Sequence, residues 1–144
     1  MNIMNKLSKL NVLICWLRGL GIEISKNIIL AGPQKVTIFD NNKICIEDLC
    51  SNFYIEEKDI GFIRDEVCLK KLKELNNYIK YEILNNENFD ENVIKNFDIV
   101  IITEIMQLYE IIKINNICHK NKIRFIYYLV FVYHFIVLLI LGNM

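Results

Sequence analysis

The chain has no net charge, no CxxC pair, no internal repeat and no spacer, and each absence narrows what it can be. Seventeen basic residues balance seventeen acidic ones, so neither nucleic acid nor an anionic membrane surface is an expected partner. The five cysteines, Cys15, Cys45, Cys50, Cys68 and Cys118, lack the spacing of a metal or redox pair. Their odd number, and an N-terminal stretch in which Arg18 cuts short the apolar run after Lys6 and Lys9, point to reduced thiols that act as packing residues in the cytoplasm or nucleus. With nothing to divide 144 residues, one domain is expected, and 53% hydrophobic residues supply its core.

What is present begins with Asn11 to Gly32, which reads as strand, glycine turn and helix. Asn11–Trp16 is a short apolar run with the length of a central strand, and Gly19 and Gly21 break it. From Leu20 the period becomes helical, with Leu20, Ile24, Ile28, Ile29 and Leu30 opposite Glu23, Lys26 and Asn27. Gly32-Pro33 stops that helix. Lys35–Phe39 is a second strand, ending at Asp40. Residues 46–52 form a loop or helical turn, and Ile60–Leu75 is an amphipathic helix resting on Val67, Leu69, Leu72 and Leu75. Tyr78–Leu84 reads as a third strand, Asp90–Asn96 as a short helix, Phe97–Thr103 as a buried strand and Ile105–Ile117 as a further helix. The alternation predicts an α/β fold, a Rossmann-like and mostly parallel sheet flanked by helices.

A glycine turn between strand and helix invites a phosphate, because backbone N–H groups and a helix N-terminus meet there. With Gly21 as the last glycine of a GxGxxG element, however, Trp16 and Arg18 fill the first two glycine positions. The second position normally lets the backbone approach a pyrophosphate, so the spacing favours a structural turn over a nucleotide loop. Asp40 stands where an acid accepts ribose hydroxyls, or it opens an Asx turn with Asn41 and Asn42. His119, at a helix end, and His134, in an uncharged run, read as structural. Lys113, Lys120, Lys122 and Arg124 read as a solvated face. Phe125–Leu141 holds 17 uncharged residues. As a helix it would fall slightly short of a ~30 Å hydrocarbon core, and its β-branched and aromatic residues suit two buried strands equally well.

The segments GLGIEISKNIILAG, KVTIFD, EDLCSNFY and DIGFIRDEV together resemble the first half of the adenylation domain shared by ubiquitin-like-protein activating enzymes and their ThiF/MoeB relatives. Leu17-Arg18-Gly19-Leu20-Gly21 resembles the non-catalytic half of that group. Within it, Ile117–Asn121, Ile123-Arg124-Phe125, Val130-Phe131 and Tyr133-His134 are most similar to the small subunit of the SUMO-activating enzyme. The resemblance implies a ThiF-type domain over residues 11–124, only the first half of the family fold, after an extension at 1–10. Residues 125–144 would be a divergent apolar continuation of it, in a truncated or divergent copy.

By this resemblance, Arg18, Gly19, Gly21, Asp40 and Arg64 are the remnant of a nucleotide loop. Ser51 replaces an arginine of the catalytic halves, and no aspartate follows Asp98 to hold Mg²⁺. No catalytic residue and no metal ligand are therefore expected here, and none of the five cysteines matches the family's catalytic one. The chain alone would bind no cofactor. ATP and Mg²⁺ would be bound mainly through the catalytic large subunit, and that subunit and a SUMO-like modifier are the implied partners. The arginine that the family's small subunit contributes from upstream of the first strand is missing, since Met1–Leu10 has none. Two alternatives remain open: the inactive half of a single-chain ubiquitin-activating enzyme, and a tail-anchored binding module.

Overall fold

The computed structural model describes residues 6–85, 88–131 and 135–141, and for 129–131 and 135–141 only the course of the backbone. Among the described residues six strands form one sheet: β1 (Asn11–Cys15), β2 (Lys35–Phe39), β3 (Lys80–Ile83), β4 (Ile99–Ile102), β5 (Arg124–Phe131) and β6 (Phe135–Leu141). Their spatial order is β3-β2-β1-β4-β5-β6. The first five run parallel, with Val12 opposite both Val36 and Ile99, and β6 returns antiparallel to β5. The chain steps outward from β1 to β3, then crosses back to β4 on the other side of β1. That reversal opens a crevice at the carboxyl ends of β1 and β4, the place where such sheets bind ligands.

Four helices complete the layers among the described residues: α1 (Gly19–Ala31), α2 (Arg64–Leu72), α3 (Glu91–Ile94) and α4 (Leu108–Lys120). Because strand residues alternate, Val12 and Ile14 point to one face and Leu13 and Cys15 to the other. The first face packs on Ile22 and Ile29 of α1 and Cys68, Leu69 and Leu72 of α2. The second packs on Ile94 of α3 and Ile111, Ile114 and Cys118 of α4. Covering on both faces is why the central strands are apolar throughout rather than alternating.

Several boundaries and faces differ from the sequence expectation. The third strand is Lys80–Ile83, and Tyr78 is 99% exposed ahead of it. The Ile60–Leu75 pattern is a shorter helix, α2, followed by a 3₁₀ turn at Lys73–Leu75. Residues expected as a loop or turn form a 3₁₀ turn at Ile46–Cys50. Helix α1 buries Gly21, Ile22, Ser25 and Ile29, while Leu20, Ile24 and Ile28 lie on its flank and Leu30 is exposed. The small residues Gly21 and Ser25 let the helix approach the sheet, so its contact face is narrower and less apolar than hydropathy predicts. Gly32 ends α1 in the left-handed region at φ 76°, its N–H bonded to the Ile29 carbonyl, as the helix-stop pair requires.

The apolar tail forms the two strands β5 and β6. No helix among the described residues is long and apolar enough to cross a membrane. His134 and Tyr133, within 132–134, lie outside the described residues. Three cysteines, Cys15, Cys68 and Cys118, are packing residues as expected, but Cys45 is half-buried and Cys50 exposed. Burial pushes the Cys118 thiol up to about 12, and burial, opposed by the Asn52 bond, brings Cys68 up to about 12. Neither thiol is a nucleophile at neutral pH.

Candidate functional site

The turn after β1 keeps a glycine conformation without the glycine. Trp16 sits at φ 68°, a left-handed backbone that costs a bulky L-residue roughly 1–2 kcal/mol. Its surroundings hold it there. The Trp16 N–H donates to the Phe39 carbonyl at 2.7 Å, and the Thr103 hydroxyl donates to the Trp16 carbonyl at 2.9 Å. The indole packs on Phe39 and Phe89, each with ring centroids 6.0 Å away, and those two rings meet edge to face at 5.3 Å. Edge-on pairs of this kind add about 0.5–1.5 kcal/mol beyond area burial, enough to offset the strained backbone.

Arg18 is the N-cap of α1 and caps nothing with its side chain. The helix begins at Gly19, where a Cβ would stand 2.9 Å from the Ser51 Cβ. Ser51 therefore closes against the turn. The Asn52 amide donates to the Leu17 carbonyl at 2.9 Å from a fully buried position, and the Ser25 hydroxyl donates to the Gly21 carbonyl at 2.8 Å.

Asp40, at the end of β2, is fully buried. Its Oδ2 accepts the Leu17 N–H at 2.8 Å and the Arg64 guanidinium at 2.7 Å. Its Oδ1 accepts the Asn42 N–H and side-chain amide, both at 3.1 Å. This is the Asx turn of the sequence reading, joined to a buried ion pair. Arg64, also fully buried, uses its other terminal nitrogen on Asp48 at 2.7 Å, while its Nε has no acceptor. Asp48 Oδ2 in addition accepts the Cys45 N–H at 3.0 Å and the Cys45 thiol at 3.2 Å. One arginine thus ties the end of β2 to the 3₁₀ turn. Bonding to two carboxylates, working against its burial, raises its pKa further, so it is charged at every practical pH.

Arg18 lies across the outside of this network, its guanidinium 3.6 Å from Asp48 and 3.6 Å from Glu104. Next to it the crevice, about 330 Å³, is lined by Trp16, Phe39, Phe89, Ile105 and Met106 with Asn41, Gln107 and Glu110. A ribose hydroxyl reaching Asp40 would have to displace Arg64, the Leu17 N–H or Asn42. No group of three or more His, Cys, Asp or Glu side chains among the described residues is placed to hold a metal ion.

The expected remnant, Arg18, Gly19, Gly21, Asp40 and Arg64, does converge at the carboxyl ends of β1 and β2. Asp48, Asn52, Thr103 and Glu104 complete it and were not singled out in the sequence. Asp48 lies 16 residues before the arginine it binds, a separation with no local pattern. The one available signal was a pair of acids, Glu47 and Asp48, inside the Ile46–Cys50 turn. His119 is exposed in the last turn of α4, about 13 Å along the helix from Glu110. Lys113, Lys120, Lys122 and Arg124 are all exposed, and Lys120 pairs with Glu91 at 2.9 Å.

The carboxylates give stability an uneven acid limb. Burial raises Asp65, and burial, opposed by Arg18, raises Glu104. For Asp48, burial works upward, but the Cys45 N–H, Arg64 and the Cys45 thiol outweigh it and leave the group lowered. Groups with raised folded pKa values bind protons more readily folded than unfolded, so acidification first stabilises through Asp65 and Glu104. Below the ordinary carboxylate range, protonation of Asp48 then removes stability. Melting temperature followed from pH 7 downward should pass through a shallow maximum before it falls. A monotonic decline from neutrality would contradict the placement of Asp65 and Glu104.

Comparison with known proteins places this geometry in context. The pattern of the ThiF family matches residues 1–137. The chain is similar to ubiquitin-activating enzyme E1 1 of Candida albicans, 42% identical over 123 residues that make up 85% of this chain and 12% of that protein. It is likewise similar to ubiquitin-like modifier-activating enzyme 1 of Homo sapiens, at 37% over 123 residues, 85% of this chain and 11% of the other. Among solved structures, E. coli MccB with succinimide superposes with a TM-score of 0.76 at 21% identity, covering 88% of this chain and 39% of that one. That superposition shows a shared fold. The chain spans about an eighth of the length of the curated relatives it matches.

Proposed function

Because the chain belongs to the ThiF family, we propose that it is the non-catalytic adenylation half of an enzyme that activates a ubiquitin-like modifier. It would pair with a catalytic half that binds ATP and Mg²⁺, adenylates the modifier's C-terminal glycine and receives it on its own cysteine. One observation carries the reading. Asp40, the acid that would meet the ribose, is fully buried and bonded on both oxygens, to Arg64 and the Leu17 N–H on one side and to Asn42 on the other. The turn is therefore a structural device that orders the carboxyl ends of β1 and β2, and what the domain offers is surface. Nuclear or cytoplasmic residence follows from the same reading.

The modifier has two candidates. Relatives named as ubiquitin-activating enzymes, at 37–42% identity, support the inactive half of a ubiquitin-activating enzyme. The Ile117–Asn121 segment and the Ile123-Arg124-Phe125 run that follows it support the small subunit of a SUMO-activating enzyme. Immunoprecipitation of the chain after trapping thioesters in its native cells separates them: ubiquitin carried on the same polypeptide supports the first, and a SUMO-like modifier carried on a co-purifying large chain supports the second. Recovery of neither modifier would count against the pairing itself.

For the isolated chain, isothermal calorimetry with Mg-ATP is expected to register no binding in the micromolar range. Micromolar affinity would require Asp40 to be released from Arg64 and would overturn the non-catalytic assignment.

A further inference from the structure

The crevice beside the β1 turn has aromatic walls and one charged group. Trp16, Phe39 and Phe89 supply the walls together with the Met106 thioether, and Asn41 and Gln107 bring amides to the edge. Its volume of about 330 Å³ lies in the range of small-molecule sites, which are mostly apolar with a few converging polar groups. Trp16 is half-buried, so part of the indole packs on Phe39 and Phe89 and part lines the opening. A bulky residue held at φ 68° is backbone strain of the kind that gathers at ligand sites.

Glu110 is the only charged residue among the described residues that line this crevice. It stands half-buried in the first turn of α4, and its carboxylate makes no hydrogen bond or ion pair with any described residue. With Phe89 and Met106 it also borders a smaller adjoining hollow of about 90 Å³, which sets it beside an aromatic ring. The cations nearby are engaged elsewhere. Lys113, one turn along, is 3.6 Å from Asp90, and Arg18 lies 3.6 Å from both Asp48 and Glu104. A partly desolvated carboxylate without a partner attracts a cation and repels an anion. The faces of indole and phenyl rings attract the same charge through their quadrupoles, indole most strongly. Both attractions are met by one chemical class, a protonated nitrogen joined to a flat apolar body, with the body along the rings and the nitrogen at Glu110. We propose that the crevice binds a small organic cation of this class, an aromatic amine in its protonated form. The catalytic partner proposed above has no part in this binding.

Trp16 is the single tryptophan of the chain, so its emission reports on the crevice alone. The purified full chain is titrated with phenethylamine, phenethyl alcohol and hydrocinnamate, which share a phenyl body and differ in charge. Phenethylamine should change the emission saturably and bind about ten-fold or more tightly than hydrocinnamate, with the alcohol between them. Glu110→Gln should weaken the amine about five-fold or more and leave the alcohol unchanged. Isotope labelling of the Met106 methyl gives a second readout, because the ring current of a bound phenyl group shifts its resonance. That measurement needs only the wild type, which covers the case of a Glu110→Gln chain that does not fold. No saturable change with any probe, in emission or in the methyl resonance, overturns the site. Equal affinity for phenethylamine and hydrocinnamate, or an amine affinity that Glu110→Gln leaves intact, overturns the choice of ligand.

Discussion

Gly21→Val is expected to destabilise the domain by about 3 kcal/mol or more, at and beyond the upper end of ordinary overpacking. A Cβ at Gly21 would stand 1.9 Å from the Trp16 carbonyl oxygen and 2.8 Å from the Thr103 hydroxyl. Neither neighbour is free to yield. The Trp16 carbonyl belongs to the left-handed turn and accepts the Thr103 hydroxyl, so moving it breaks the link between the ends of β1 and β4. Helix α1 would have to lift off the sheet, uncovering Ile22 and Ile29. For a chain of this size the melting temperature should drop by about 10 °C, as followed by circular dichroism. Gly32→Ala is the matched control. Gly32 has φ 76° but nothing within 4 Å of its Cβ position, so only backbone strain of roughly 1–2 kcal/mol applies. Equal losses at the two sites would mean that close approach at Gly21 is not what positions α1.

The second large effect is expected at Arg64. Replacement by Met removes the cation from between Asp40 and Asp48, both of which are buried. Breaking a buried ion pair from one side typically costs about 3–5 kcal/mol, because the remaining charge is left uncompensated. Arg64→Lys should recover part of that loss only, since an ammonium cannot reach both carboxylates in the forked geometry of a guanidinium. The pH dependence identifies the cause. Without Arg64, one of the groups that hold Asp48 low is gone while its burial remains, so the deficit is greatest where that carboxylate is charged and shrinks as pH falls through the carboxylate range. Urea titrations at several pH values should show the deficit against the wild type shrinking on acidification. A deficit that stays constant would assign Arg64 a packing role alone.

Both predictions concern one turn, and that turn shows how much the linear pattern could reveal. Gly19, Gly21 and Asp40 were legible because their reasons are local: a strand must stop, a helix must start, and a glycine is placed where backbones close in. The stop at Gly32 and the apolar run through β4 were legible on the same grounds. Arg64 was legible only through the resemblance, as one member of a nucleotide-loop remnant. Its role depends on Asp40 and Asp48, which lie 24 and 16 residues away in the chain, and no periodicity relates residues at such distances. Tyr78 was misread as strand because it continues the apolar–polar alternation of the segment that follows, whether or not a neighbouring strand is there to pair with it. Leu30 was read into the α1 core because hydropathy does not register how closely Gly21 and Ser25 bring the helix to the sheet.

The amino-acid sequence by itself determined the alternation of strand and helix, the apolar centre of a two-sided sheet and the sharp turn after β1. These follow from side-chain periodicity and from the few backbone conformations that glycine and proline impose, and both act over a handful of residues. Only the tertiary structure decided that Asp40 is bonded inward rather than presented to a ligand. It also decided that Trp16 occupies a glycine conformation under the grip of Phe39, Phe89 and Thr103, and that Glu110 of α4 meets the aromatic rings in one crevice. Each of these depends on groups from separate strands meeting at one end of the sheet, where distance in space, burial and the direction of a hydrogen bond are set by the packing of the whole chain.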